Sequence, residues 1–219
     1  TLRMQLPIWL AALFLAPHHL FASKGTCDTS LSISEYILSI PESMLQVADD
    51  KVGTIPNKQL NRYFTVTDNK NGYVQIKDSR VIPTITFALF RLKDRQPLLT
   101  VTQDGFSVQS RDTLLCTKGK WVSTAAFPEI SADFLLESYR KAGITTLVSD
   151  VEAKNGSKEI PLTRDGLIAP AHSLYRLQLP RKGREIVALA SHPDLREQDF
   201  GRPIFTLRFQ DQKFIIANP

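Results

Sequence analysis

At 219 residues, with 42% hydrophobic and 22% charged residues, the chain has the composition of an ordinary globular protein, which excludes disorder on a large scale. Its length allows one large domain or two small ones. A net charge of +5 and a pI near 9.2 favour anionic neighbours without naming one.

The chain opens with Arg3 and Met4 ahead of an uncharged apolar run, Leu6 to Ala16, followed by Pro17-His18-His19 and Leu20-Phe21-Ala22-Ser23. That order reads as a secretory signal peptide over residues 1–23. The run is shorter than the ~18 apolar residues wanted for a membrane span, so an uncleaved anchor is the weaker reading and no stable span is expected after processing. A cysteine just after a signal can carry a lipid, but Lys24-Gly25-Thr26 ahead of Cys27 is foreign to the small and apolar residues that such processing reads. Two cysteines survive cleavage, Cys27 and Cys116, and in an exported protein a lone pair is most simply a disulfide.

Ser32-Ile-Ser-Glu35 has the spacing of a capping box, and Ile33, Tyr36, Ile37 and Ile40 follow at helical spacing. Pro41 interrupts that pattern, and Met44, Leu45 and Ala48 continue it, so two short helices or one kinked helix are expected. A polar loop with a helical turn at Asn57 to Asn61 leads to a hairpin whose strands, Tyr63 to Thr67 and Tyr73 to Ile76, flank the turn Asp68-Asn-Lys-Asn-Gly72. Next comes a strongly apolar hairpin, Phe87 to Val101, turning at Lys93 to Gln96. Ile85, Phe87 and Leu89 alternate with Ala88, Phe90 and Leu92, so this strand is apolar on both faces and should be covered on both. After a polar stretch at 103–112, the strands Thr113 to Thr117 and Trp121-Val122 close the first half.

Ser131 is placed to cap a second helix whose apolar side is Phe134, Leu135, Tyr139 and Ala142, with Arg140 and Lys141 suited to its C-terminal dipole and Gly143 to its end. Beyond it lie an extended Thr145 to Val148, a turn at Lys154-Asn-Gly156, a short strand through Ile160 and Leu162, and a second hairpin, Leu174 to Leu189, turning at Pro180 to Arg184. A closing hairpin runs from Ile204 to Phe209 and back through Lys213 to Ile216. Lys70-Asn-Gly72 answers Lys154-Asn-Gly156, Leu89-Phe-Arg91 answers Leu174-Tyr-Arg176, and Lys120-Trp-Val122 answers Lys213-Phe-Ile215. The fold class expected from this order is α+β with two degenerate repeats, residues 24–128 and 129–219. Each repeat would be a helix followed by a four- or five-stranded antiparallel meander, with the helices packed on the sheets and the two units open to fusion into one domain.

Catalytic chemistry is hard to find. The mature chain keeps two histidines, His172 and His192, and a Ser/His/Asp site drawn from Ser173 or Ser191 and Asp165 or Asp194 would lack a Gly-x-Ser-x-Gly elbow. No metal-ligand spacing, calcium loop or phosphate-binding glycine loop occurs, so neither metal nor cofactor is expected. Asp68 to Gly72 has its glycine at the fifth place and a lysine at the third, which makes it a turn; Asn155-Gly-Ser157 is a glycosylation sequon only in a glycosylating pathway. One feature stands out. Arg91, Lys93 and Arg95 decorate the first hairpin, and Arg176, Arg181, Lys182 and Arg184 the second. No stretch resembles a known family closely enough to lend it a function. The expectation is an exported, periplasmic or secreted, non-catalytic protein of the bacterial envelope that binds a protein or an anionic envelope component, not nucleic acid, through Arg176, Arg181, Lys182 and Arg184. Alternatives are a hydrolase of unfamiliar type using His172 or His192, and a structural subunit of an envelope complex.

Overall fold

The computed structural model describes residues 27, 31–49, 53–77, 84–104, 109–149, 158–167 and 174–217. The expected signal peptide, the sequon and His172 lie outside the described residues.

The first helix, α1 (Ile33–Leu38), begins where the capping box is expected: the Ser32 hydroxyl accepts from the Glu35 N–H, and the Glu35 carboxylate accepts from the Ser32 N–H at 2.8 Å. It stops at Ser39 and does not resume. Pro41 breaks the ladder, and the following apolar residues go into extended backbone instead: β1 (Val47–Asp49) pairs with β2 (Gly53–Ile55), Val47 opposite Ile55. A 3-10 turn (Asn57–Tyr63) follows, tied back by the Asn57 side-chain amide donating to the Ile40 carbonyl. Six strands then form one antiparallel meander: β3 (Phe64–Asp68), β4 (Tyr73–Ile76), β5 (Thr84–Arg91), β6 (Pro97–Asp104), β7 (Gln109–Thr117) and β8 (Lys120–Thr124). Part of the polar stretch at 103–112 is strand, because Gln103 and Asp104 pair with Ser110 and Gln109 and extend the β6–β7 ladder.

The second helix, α2 (Ala132–Lys141), is capped by the Ser131 hydroxyl, which accepts from the Phe134 N–H. It ends at Gly143, whose φ of +77° is the left-handed conformation that glycine adopts without cost. The short β9 (Thr146–Ser149) and β10 (Lys158–Pro161) pair with each other. A second meander, β11 (Tyr175–Gln178), β12 (Glu185–Ala190), β13 (Pro203–Gln210) and β14 (Lys213–Ala217), ends the described chain.

The α+β expectation is overturned. The protein is mostly β, with 46% strand and 19% helical residues, and its helices cover little of the sheets. Nor are both meanders four- or five-stranded, since the larger sheet has six strands and the smaller four. The reason lies in helix size: α1 has six residues and α2 ten, too little surface to cover a six-stranded sheet. What covers the larger sheet on one face is the smaller sheet. Ala88, Phe90 and Leu98 share one core with Leu177, Ile186, Leu207, Phe209 and Phe214, and the Phe90 ring lies 5.1 Å from Phe209 and 5.0 Å from Phe214. On the opposite face, Val74, Ile85, Phe87, Leu99 and Leu114 pack with Ile33, Tyr36, Ile37, Ile55 and Leu60. The central strand is therefore covered on both sides, as its doubly apolar sequence requires.

Cys27 and Cys116 are joined in a disulfide, both buried, with Cα atoms 5.8 Å apart. The bridge and the Cys27 N–H, which donates to the Gly119 carbonyl at 3.3 Å, fasten the start of the described chain to the β7–β8 hairpin. Disulfides persist in oxidising compartments, so the bridge agrees with an extracellular or periplasmic location. No described helix is long and apolar enough to cross a membrane.

A candidate anion-binding cleft at the basic end

In an antiparallel meander alternate turns fall at the same end. The β3–β4, β5–β6 and β7–β8 turns of the larger sheet therefore point one way, and so do the β11–β12 and β13–β14 turns of the smaller. Two ion pairs bring the two sets together: Arg181 Nε donates to Asp68 at 2.9 Å, and Lys93 meets Asp211 at 2.5 Å. At the β3–β4 turn only glycine fits, since Gly72 has φ +67° and an added Cβ would stand 2.9 Å from the Leu89 Cβ.

Between the tips lies an open cleft of about 620 Å³. Its walls come from three turns: Arg91 and Lys93 at the end of β5, Lys182 to Glu185 leading into β12, and Arg208 to Gln212 at the β13–β14 turn. The two basic clusters seen in the sequence thus face each other across one cavity. Five cationic side chains, Arg91, Lys93, Lys182, Arg184 and Arg208, meet two carboxylates, Glu185 and Asp211. Both carboxylates are already engaged, Glu185 by Arg208 at 2.6 Å and Asp211 by Lys93. The bond from the Lys93 ammonium holds the Asp211 carboxyl below the usual carboxylate range. Lys182 and Arg184 are exposed and have no acidic partner among the described residues.

The four arginines and lysines singled out in the second hairpin separate on folding. Lys182 and Arg184 line the cleft. Arg181 stands beside it but is committed to Asp68, whose carboxyl is held down to about 2 by the Asn71 side-chain amide first and by Arg181 second. Those bonds also explain why Asp68 to Gly72 makes a turn and not a calcium loop: the Asp68 oxygens are spent on Asn71 and Arg181. Arg176 is elsewhere, at the start of β11, 3.6 Å from Asp104 and with its guanidinium over the Phe200 ring. Sequence reading missed Arg208, which reaches the cleft from β13 because it pairs with Glu185 across the sheet; only the register places it there.

His192 is 4% exposed and both ring nitrogens meet the backbone: Nε2 lies 3.0 Å from the Gly166 carbonyl, and Nδ1 accepts from the Asp194 N–H at 3.1 Å. These contacts select the tautomer with its proton on Nε2 and leave no nitrogen to activate a hydroxyl. The Asp194 carboxylate stands 4.0 Å from Nδ1, outside hydrogen-bond reach. Among the described residues no group of three or more His, Cys, Asp or Glu side chains could hold a metal ion.

No protein-family model matches the chain, and no curated protein matches its sequence. Its fold is similar to the solved structure of a domain of an uncharacterized protein from Porphyromonas gingivalis W83, at a TM-score of 0.51 and 12% identity, covering 85% of this chain and 98% of that one.

Proposed function

We propose that this chain is an exported, non-catalytic binding protein of the bacterial envelope that takes an anionic ligand in the cleft between its hairpin turns. The observation that carries this reading is the pair Lys182 and Arg184: two exposed cations facing a cavity whose carboxylates are already paired with Lys93 and Arg208. An anion entering there meets uncompensated positive charge on side chains mounted on a short turn between two paired strands. Arg184 can grip two oxygens of a phosphate or carboxylate at once, and Lys182 adds a point charge. The disulfide supports the exported location, and the backbone hydrogen bonds of His192 support a binding role over the hydrolase alternative.

Calorimetric titration with tripolyphosphate tests the cleft. The intact chain should bind it in a salt-sensitive way, Lys182→Glu with Arg184→Glu should weaken binding at least tenfold, and the same charge change at Arg140 and Lys141 on α2 should leave it unaltered. Equal affinity in the cleft variant and the intact chain would sink the proposal.

A further inference from the structure

The cleft is the middle of a larger feature. Over the five hairpin tips, residues 68–73, 91–97, 117–121, 179–185 and 208–213, the sequence places eleven Lys and Arg against four Asp and Glu. The whole chain has 27 and 22, so outside these tips it is slightly acidic. All eleven cations are exposed. The acid that α1 brings alongside, Glu35, is held in the capping box.

Among the described residues, the four non-glycine positions with positive φ all lie in these tips: Arg95 (66°), Lys118 (51°), Asp211 (47°) and Gln212 (74°). Glycine or asparagine would adopt that conformation at lower cost, so Arg95 and Lys118 keep a cation at a tip against a local backbone penalty. Among the described residues the large exposed hydrophobic side chains are Val122, Ile160, Phe200 and Ile215, none of them within these five ranges, so the turns themselves offer charge without an apolar wedge. Cys27, four residues past the expected signal peptide, is pinned to the β7–β8 tip through Cys116 and the Gly119 carbonyl, so the start of the processed chain joins the fold at this basic end.

We infer that the basic end docks on the face of an anionic lipid bilayer, with a phosphate headgroup entering the cleft. This rests on the proposed anion site and names its source. Five turns projecting in one direction present an array of charges to a surface, whereas a soluble chain of anions would need only the cleft. Each Lys or Arg near an anionic bilayer contributes about a factor of five in partitioning, and the attraction falls off within roughly a Debye length, about 8 Å at physiological salt.

Co-sedimentation of the full chain with vesicles distinguishes the two readings. Pure phosphatidylcholine is compared with phosphatidylcholine carrying about one part in three of phosphatidylglycerol. Every variant shares the same N-terminal segment, so the difference between the two lipids reports the basic face. Anionic vesicles should bind more tightly, with the difference removed by high salt. Lys118→Gln with Lys120→Gln, at a tip outside the cleft, should lower that difference about thirtyfold, as should Lys182→Gln with Arg184→Gln inside it. Arg140→Gln with Lys141→Gln should lower it by less than threefold. If the Lys118 and Lys120 changes have no effect while tripolyphosphate still binds, the bilayer inference falls and the cleft stands. Polyglutamate bound as tightly as anionic vesicles would also overturn it, and loss of both activities removes the cleft reading too.

Discussion

Removing the Cys27–Cys116 bridge gives the most direct measure of how the N-terminal segment is held. The bridge joins positions 89 apart. A cross-link closing a loop of that length removes enough freedom from the unfolded chain to be worth about 4 to 5 kcal/mol. For a protein of this size the urea dependence of stability is roughly 2 to 3 kcal/mol per molar, so Cys27→Ala with Cys116→Ala should lower the unfolding midpoint by about 2 M. The variant should still fold, since the helix and 3-10 residues Ile33, Tyr36, Ile37 and Leu60 reach the same core independently of the sulfurs. Trp121 is the reporter: it sits opposite Cys116 in the β7–β8 ladder, 6% exposed, with its indole N–H donating to Ser39 at 2.9 Å and its ring edge-on to Tyr36. Trp9 falls within the expected signal peptide, so in the processed chain Trp121 alone supplies the emission. Reductant added to the unsubstituted chain should reproduce the shift. A shift below about 0.5 M at unchanged urea dependence would refute the loop-closure account.

Two pH-linked outcomes follow from buried or tightly bonded groups. The Tyr139 hydroxyl donates to the Leu174 carbonyl and accepts from the Ser191 N–H, and burial pushes its pKa from 10.0 up to about 12. Its contribution to stability is whole below pH 10 and is lost as the pH rises through about 12. Tyr139→Phe should cost about 1 to 3 kcal/mol at neutral pH and flatten the alkaline fall in stability; equal alkaline slopes would count against it. Asp68 behaves in the opposite sense, because its folded pKa is lowered from 3.8 to about 2. Its share of stability is present above its ordinary value and is lost as the pH falls through about 2. Asp68→Asn should flatten the drop in Tm between these two values, and a carboxyl signal titrating near 3.8 in the folded protein would contradict the turn geometry.

Local signals were the legible part of the sequence. The Ser32–Glu35 box, the Ser131 cap, the Asp68 to Gly72 turn and the strands either side of it depend on contacts only a few residues long. The disulfide was legible from counting, since two cysteines in an exported chain have one partner each. The continuation of α1 through Met44, Leu45 and Ala48 was misread because a helical stripe and a short strand next to a proline share the same apolar residues; pairing of Val47 with Ile55 settles which forms. Arg176 belongs to the basic hairpin by sequence, but its place at the start of β11 puts it at the end of the strand away from the turn.

What the sequence by itself determined is therefore most strands of the two meanders, the caps, the turns and the bridge, each legible from residues close together in the chain or from counting. Only the tertiary structure decided that one face of the six-stranded sheet is buried by the four-stranded one and not by helices, because that depends on how much area each element can cover. The cleft has the same origin. Arg91, Lys182 and Arg208 lie far apart along the chain, and they meet because antiparallel pairing sends alternate turns to one end and the shared core of Phe90, Phe209 and Phe214 holds the two sets of turns together.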